Sequence, residues 1–145
     1  MILTVLLCSV LLVSAYAALT YLWSGSAGAT ITTSVQNIVV FDSKGNEVTS
    51  IDFGKLNPSS VIRIPLTIKN TSPNATITIN WSSTRADVTN KITDSWYHHK
   101  FGSSDYSFPV TLIPGESVST HYQLSVASDA PLQSYSWTLY IVPGM

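Results

Sequence analysis

Charged residues are scarce in this chain, and their scarcity excludes several classes of function. Asp, Glu, Lys and Arg make up 10% of the 145 residues, and the formal net charge is −1, whereas ordinary globular proteins are about 25% charged. Such a balance gives no electrostatic reason to bind nucleic acid, and we expect no nucleic-acid partner. Ser and Thr take the place of charges, at 38 of 145 residues. A surface solvated by hydroxyl groups favours a location outside the cell.

Cysteine and the common enzyme motifs are also missing or nearly so. Cys8 is the single cysteine, so no intrachain disulfide can form and the fold depends on core packing. The chain has no Gly-x-Ser-x-Gly nucleophile elbow and no Gly-rich phosphate loop. Its acidic residues are scattered, with no close pair suited to glycoside cleavage. We therefore predict that the protein is not an enzyme and uses no cofactor.

One long apolar run is present, from Ile2 to Trp23, within a stretch of 41 residues that has no Asp, Glu, Lys or Arg. As an α-helix it would span roughly 33 Å, enough to cross a bilayer core of about 30 Å. No face of such a helix is polar, so it must be buried in protein or in lipid. We predict a hydrophobic helix over residues 1–24.

Three uses of this run remain open. It fits a cleaved secretory signal, because Ala15-Tyr16-Ala17 and Ala27-Gly28-Ala29 match the small-x-small cleavage pattern, although a basic segment before the run is missing. It also fits a permanent anchor with Tyr21 and Trp23 at the membrane interface. The third use, which we favour, is a helix that packs against copies of itself in a filament.

The remainder of the chain has the pattern of a β-domain. Apolar and polar residues alternate, as in half-buried strands, and turn residues such as Ser72-Pro73 and Pro114-Gly115 separate the alternating segments. The predicted inward faces run from Ile62 to Ile68, Ile77 to Trp81, Tyr106 to Leu112, Val118 to Val126 and Tyr135 to Ile141. We predict an α+β chain: the helix, a Gly/Ser/Ala joint at residues 25–30, and an all-β immunoglobulin-like sandwich of about seven strands over residues 31–145.

The layout of the whole chain resembles the archaeal type IV pilins. The residues that carry the resemblance are the apolar start, Met1 to Leu7, and the small-residue segment from Ser24 to Ala29 before the β-domain. The phrase Ile51-Asp52-Phe53-Gly54-Lys55-Leu56-Asn57-Pro58 also looks like secreted immunoglobulin-like domains of prokaryotic surface and fibre proteins. The resemblance implies an N-terminal helix that polymerises and a β-sandwich that faces solvent.

We accordingly expect a structural subunit of an extracellular, cell-surface filament, embedded in the membrane before assembly and partnered by copies of itself. The apolar side chains expected to make the assembly contacts are Ile2, Leu3, Val5, Leu6, Leu7, Val10, Leu11, Leu12, Val13, Leu19 and Leu22. The alternative is a secreted or membrane-anchored immunoglobulin-like surface module, which could polymerise by donating Thr30 to Phe41 as a strand to a neighbour. A surface or sugar ligand is unidentified in either case.

Three N-glycosylation sequons lie close together, at Asn70, Asn74 and Asn80. The first two fall in a turn and the third on the polar side of its strand. We predict that all three carry glycans if the chain is exported in an organism with the necessary enzymes.

The chain has three histidines, His98, His99 and His121. Asp94 precedes the adjacent pair His98-His99, and Asp105 follows it. Imidazole and carboxylate groups are good metal ligands, but adjacent histidines in a strand point to opposite faces. We therefore expect a solvated loop and no metal site. The nearby aromatic residues could form a partner-binding patch, but closing one end of the core is the interpretation we favour; they are Trp96, Tyr97, Phe101 and Tyr106.

Overall fold

Two five-stranded sheets make up the part of the chain that the computed structural model describes, residues 25–85, 91–131 and 133–144. The strands are β1 Gly25–Thr33, β2 Ile38–Phe41, β3 Ser50–Leu56, β4 Val61–Asn70, β5 Ile77–Ser83, β6 Ile92–His98, β7 Tyr106–Ser107, β8 Val110–Leu112, β9 Ser117–Val126 and β10 Tyr135–Pro143. Sheet A has the order β3-β1-β10-β5-β8, and sheet B has the order β2-β4-β9-β6-β7. Buried apolar side chains from both sheets form one core between them.

The fold class is corrected from α+β to all-β, because the described residues form strands and turns and contain no helix. Across those ranges, the structure has no helix of the length and apolarity needed to span a membrane. The resemblance to archaeal type IV pilins, which depends on an N-terminal helix, is therefore wrong. The helix predicted over residues 1–24 lies outside the described residues. The described residues form ten strands, where about seven were predicted.

The segment predicted as a Gly/Ser/Ala joint, residues 25–30, is the first part of β1. This strand lies inside sheet A, antiparallel to β3 and parallel to β10. Ala27 and Ala29 point into the core and are each 4% exposed, while a Cβ on Gly28 would lie 3.4 Å from the Ile51 carbonyl oxygen. Small residues therefore suit a crowded strand here, and pairing on both sides outweighs their weak intrinsic β-propensity.

The alternation predicted for the longer strands is confirmed. In β9, Val118, Tyr122, Leu124 and Val126 are all buried. Pro65 lies in the part of β4 that pairs with β9 alone, because the β2–β4 register covers only Thr67 to Asn70. Proline fits there because it has no N–H to donate to a second neighbouring strand. The predicted face from Tyr106 to Leu112 is wrong as a single strand, because β7 belongs to sheet B and β8 to sheet A.

Tyr122 joins the two sheets through a buried polar chain inside the aromatic core. Its hydroxyl accepts a hydrogen bond from Trp137 Nε1 in sheet A (3.0 Å) and donates one to Asp94 Oδ2 in β6 (2.7 Å). Arg85 Nε in turn donates to Asp94 Oδ1 at 2.9 Å. Burial, together with the Asp94 carboxylate, raises the pKa of Tyr122. The hydroxyl is therefore a fixed, neutral link between the sheets.

Replacing this hydroxyl tests the link. We expect Tyr122→Phe to lower the free energy of unfolding by about 1–3 kcal/mol, because it leaves a buried Trp137 N–H without its acceptor. Urea unfolding of the full chain measures the change. Tyr135→Phe is the matched control, since the Tyr135 hydroxyl donates to the Pro131 carbonyl in an exposed bond that water can replace. Equal losses in the two variants would contradict the assignment.

Candidate functional site

The sandwich has two distinct ends. The chain enters at Gly25, opposite Leu56 of β3, and β6 begins at the same end, where Ile92 pairs with Val126. We call this the proximal end. Six residues later β6 ends at His98, which pairs with Thr120 near the start of β9, about 20 Å away along the strands. We call that the distal end.

All three histidines lie at the distal end, but on different faces of sheet B. His98 points into the core and is 2% exposed; burial lowers its pKa. His99 follows the strand, where its backbone N–H donates to the Ser119 carbonyl at 2.8 Å. The expectation that adjacent histidines diverge is thus confirmed. His121 lies on β9 beside the inward-facing Tyr122, and so points to the outer face.

The cross-strand register brings His121 next to Tyr97 and His99. Tyr97 pairs with His121 across β6 and β9, and the His121 ring lies 5.3 Å from the Tyr97 ring and 5.1 Å from the His99 ring, measured between centroids. His121 is only 8% exposed, although it faces outward. The sequence places His99 and His121 22 positions apart, so their contact depends on strand pairing that periodicity alone does not reveal.

A turn at residues 99–105 closes over this pair and supplies a carboxylate. Gly102 has φ 132°, a conformation that favours glycine, and its N–H donates to the His99 carbonyl at 3.3 Å. Asp105 then lies with Oδ1 3.7 Å from His99 Nε2 and Oδ2 3.7 Å from His121 Nε2. We call His99, Asp105 and His121 the distal cluster. It contains three of the five residues considered from sequence and leaves out His98 and Asp94.

The hydrogen bonds of the distal cluster show which ring nitrogens of His99 and His121 carry a proton and which carry a lone pair. The Ser104 carbonyl can only accept, so the contact of 3.1 Å to His99 Nδ1 places a proton on that nitrogen. In the neutral ring, His99 Nε2 then accepts from His121 Nδ1 at 3.0 Å. His121 Nε2 is left bare, buried and without a hydrogen-bond partner, opposite an oxygen of Asp105. Burial lowers the pKa of His121 despite that carboxylate.

The other residues singled out from sequence have structural roles. Asp94 binds Arg85 and Tyr122 and does not approach the distal cluster. Trp96 is buried and its Nε1 donates to Thr120 Oγ1 at 3.0 Å, as the core-closing interpretation predicted. Phe101 is instead 69% exposed, and Tyr106 37%; their rings contact each other and His98.

Of the three predicted glycan sites, the prediction for Asn70 is wrong, because its side chain lies in the core. Its side chain is fully buried, Nδ2 donates to the carbonyls of Ala75 (2.8 Å) and Leu112 (3.0 Å), and Oδ1 accepts from the Ser72 N–H (2.9 Å). A glycan on this nitrogen is incompatible with the fold. Asn74 is exposed and Asn80 is half-buried, so both remain predictions.

The predicted assembly residues, Ile2 to Leu22, lie outside the described residues. The segment considered as a donor strand is already used within its own sandwich. Residues 30–33 belong to β1 and pair with β10, and residues 38–41 form β2 against β4. Donating Thr30 to Phe41 to a neighbour would therefore unpair the chain's own sheets, and the structure does not support that route.

The buried amide of Asn70 ties three backbone segments together, and its removal tests that role. We expect Asn70→Ala to lower the free energy of unfolding by about 1–3 kcal/mol or more, because two carbonyls and one N–H lose their partner. Chemical denaturation is the measurement, with Asn74→Ala as the exposed control, expected within about 0.5 kcal/mol of wild type. A stable Asn70→Ala variant would refute the role.

Comparison with known proteins gives little further guidance. No family model matches the chain, and no curated protein matches it. Among solved structures, a family 123 glycoside hydrolase from Clostridium perfringens, described in connection with glycolipid glycan hydrolysis, aligns at 10% identity and a TM-score of 0.37. The alignment covers 61% of this chain and 22% of the hydrolase chain. A similarity this weak supports no conclusion about function.

Proposed function

We propose that this chain is a structural subunit of an extracellular filament, in which the β-sandwich forms the outer part and the apolar lead, residues 2–23, joins copies to one another. The single observation that carries the proposal is the division of the sequence. An apolar run with no charged residue precedes a β-sandwich whose surface is rich in Ser and Thr. Apolar burial repeated in every subunit supplies the association free energy.

The geometry of the sandwich supports this division. The apolar lead joins the domain at the proximal end, directly before Gly25. The distal end, with the turn at residues 99–105 and the exposed ring of Phe101, is the end farthest from that junction. An arrangement of this kind holds the domain by one end and leaves the other end free to face solvent or a partner.

The fold also supports a role that does not need catalysis. The sheets are joined by a buried aromatic and polar core, from Trp137 through Tyr122 to Asp94. No intrachain disulfide is required, because the core alone closes the sandwich. A domain held together in this way is suited to repeated packing outside the cell.

Electron microscopy of the cell surface tests the filament proposal. We expect antibodies against the sandwich to label filaments sheared from intact cells. Leu12→Asp should abolish the filaments, because a carboxylate in the apolar lead opposes burial. Ser43→Asp is the control, since it adds the same charge to an exposed turn and should leave assembly unchanged. Discrete chains held in the membrane would favour a monomeric surface module, and a cytosolic location would overturn the proposal.

Glycan mapping provides a second test of export. In a host that attaches N-glycans, we expect Asn74→Gln to remove one glycan mass, because Asn74 is exposed in a turn. The Asn70 side chain is fully buried, so Asn70→Gln should remove none. Mass spectrometry of the intact secreted chain gives the answer. Occupancy at Asn70 in folded protein would contradict the burial described above.

A further inference from the structure

We propose that the distal cluster, His99, Asp105 and His121, is a binding site for a divalent transition-metal ion, with Zn²⁺ as its best match. The site does not depend on the filament proposal. Two imidazoles and one carboxylate are a ligand set that zinc accepts, and the fourth position of a tetrahedral ion would be left for water.

The distances between the side chains of the distal cluster are close to those around a bound zinc ion. Candidate ligand atoms from the three residues all lie within 4.8 Å of one another, and the Asp105 oxygens lie 3.7 Å from nitrogens of His99 and His121. Ligand atoms around a tetrahedral zinc ion stand about 3.3 Å apart, given bonds of about 2.0–2.1 Å. The two distances to Asp105 are close to this value, and Asp105, on an exposed turn with a side chain 41% accessible, can move closer to an ion.

One ring nitrogen of His121 lacks a hydrogen-bond partner. His121 Nε2 is buried and has no hydrogen-bond partner, and its lone pair faces a carboxylate oxygen that can only accept. Two lone pairs opposed at 3.7 Å repel each other unless a proton or a metal ion lies between them, and a buried polar atom without a partner is costly. A metal ion satisfies both groups at once.

The Ser104 carbonyl holds the His99 ring in the orientation that a metal ligand needs. Metal-binding histidines commonly donate their second ring N–H to a carbonyl or carboxylate, which fixes the tautomer. His99 Nδ1 lies 3.1 Å from the Ser104 carbonyl oxygen, and this leaves Nε2 as the nitrogen that faces the cluster. When zinc binds, that nitrogen exchanges its hydrogen bond to His121 for the metal.

The position of the site predicts its effect. His99 follows β6, His121 lies on β9, and Asp105 precedes β7, so one ion would fasten the turn at residues 99–105 to the outer face of sheet B. Because the ion binds the folded chain, zinc at about 100 times its Kd should raise the Tm by roughly 5–10 °C.

Calorimetric titration of the full chain with ZnCl2, after treatment with a chelator, tests the site. We expect one zinc ion per chain, and binding weakened by about 10–100-fold or more in His99→Gln and Asp105→Asn. Both substitutions lie in the turn at residues 99–105, outside the buried apolar core, and should leave the sandwich folded. Glu47→Gln, an exposed carboxylate in another turn, is the matched control and should bind like wild type.

A cobalt titration separates ligation from non-specific binding, because Co²⁺ held by nitrogen and oxygen ligands in a tetrahedral site has intense visible absorption. We expect that absorption in wild type and Glu47→Gln, and its loss in Asp105→Asn. Absence of stoichiometric zinc binding, or equal affinity in wild type, His99→Gln and Asp105→Asn, would overturn the proposal and leave a protonated His121 as the account of the cluster.

Discussion

The alternation of β9 is the constraint on which both the core and the candidate site depend. Tyr122 and His121 are neighbours in sequence and point to opposite faces of sheet B. Tyr122 turns inward and connects Trp137 of sheet A to Asp94 of β6, while His121 turns outward to His99 and Asp105. Because the side-chain period of a strand is two, a slip of one residue would exchange these faces. The contact between the sheets and the histidine cluster therefore both depend on the same register of β9.

Sheet pairing also explains why the sequence predicted some strands and not others. Val118 to Val126 and Ile62 to Ile68 alternate strongly enough that their inward faces were predicted without knowledge of any partner. Gly25 to Ala29 offers no such signal. Its residues are small and it was predicted as part of a joint, yet it pairs with β3, and from Ala27 onward it also pairs with β10. Its conformation is set by distant neighbours, which a local pattern cannot express.

The candidate site shows the same limit. Divergence of His98 and His99 followed from strand geometry alone, and the outward direction of His121 follows from the inward direction of Tyr122. The contact between His99 and His121 depends on the β6–β9 register. The position of Asp105 beside them depends on the turn at Gly102. Asn70 was predicted as a surface glycan site because its sequon is local, whereas its burial is set by Ala75 and Leu112.

The two ends of the sandwich divide the proposed roles. The proximal end receives the apolar lead, and the distal end carries the cluster and its exposed aromatic neighbours. A crystal structure of the chain grown with zinc, with diffraction recorded on both sides of the zinc absorption edge, would show both the register of β9 and whether the distal cluster binds the ion. The account predicts Tyr122 between the sheets and one anomalous peak among His99, Asp105 and His121. A β9 register shifted by one residue, with His121 in the core and Tyr122 outside, would contradict it.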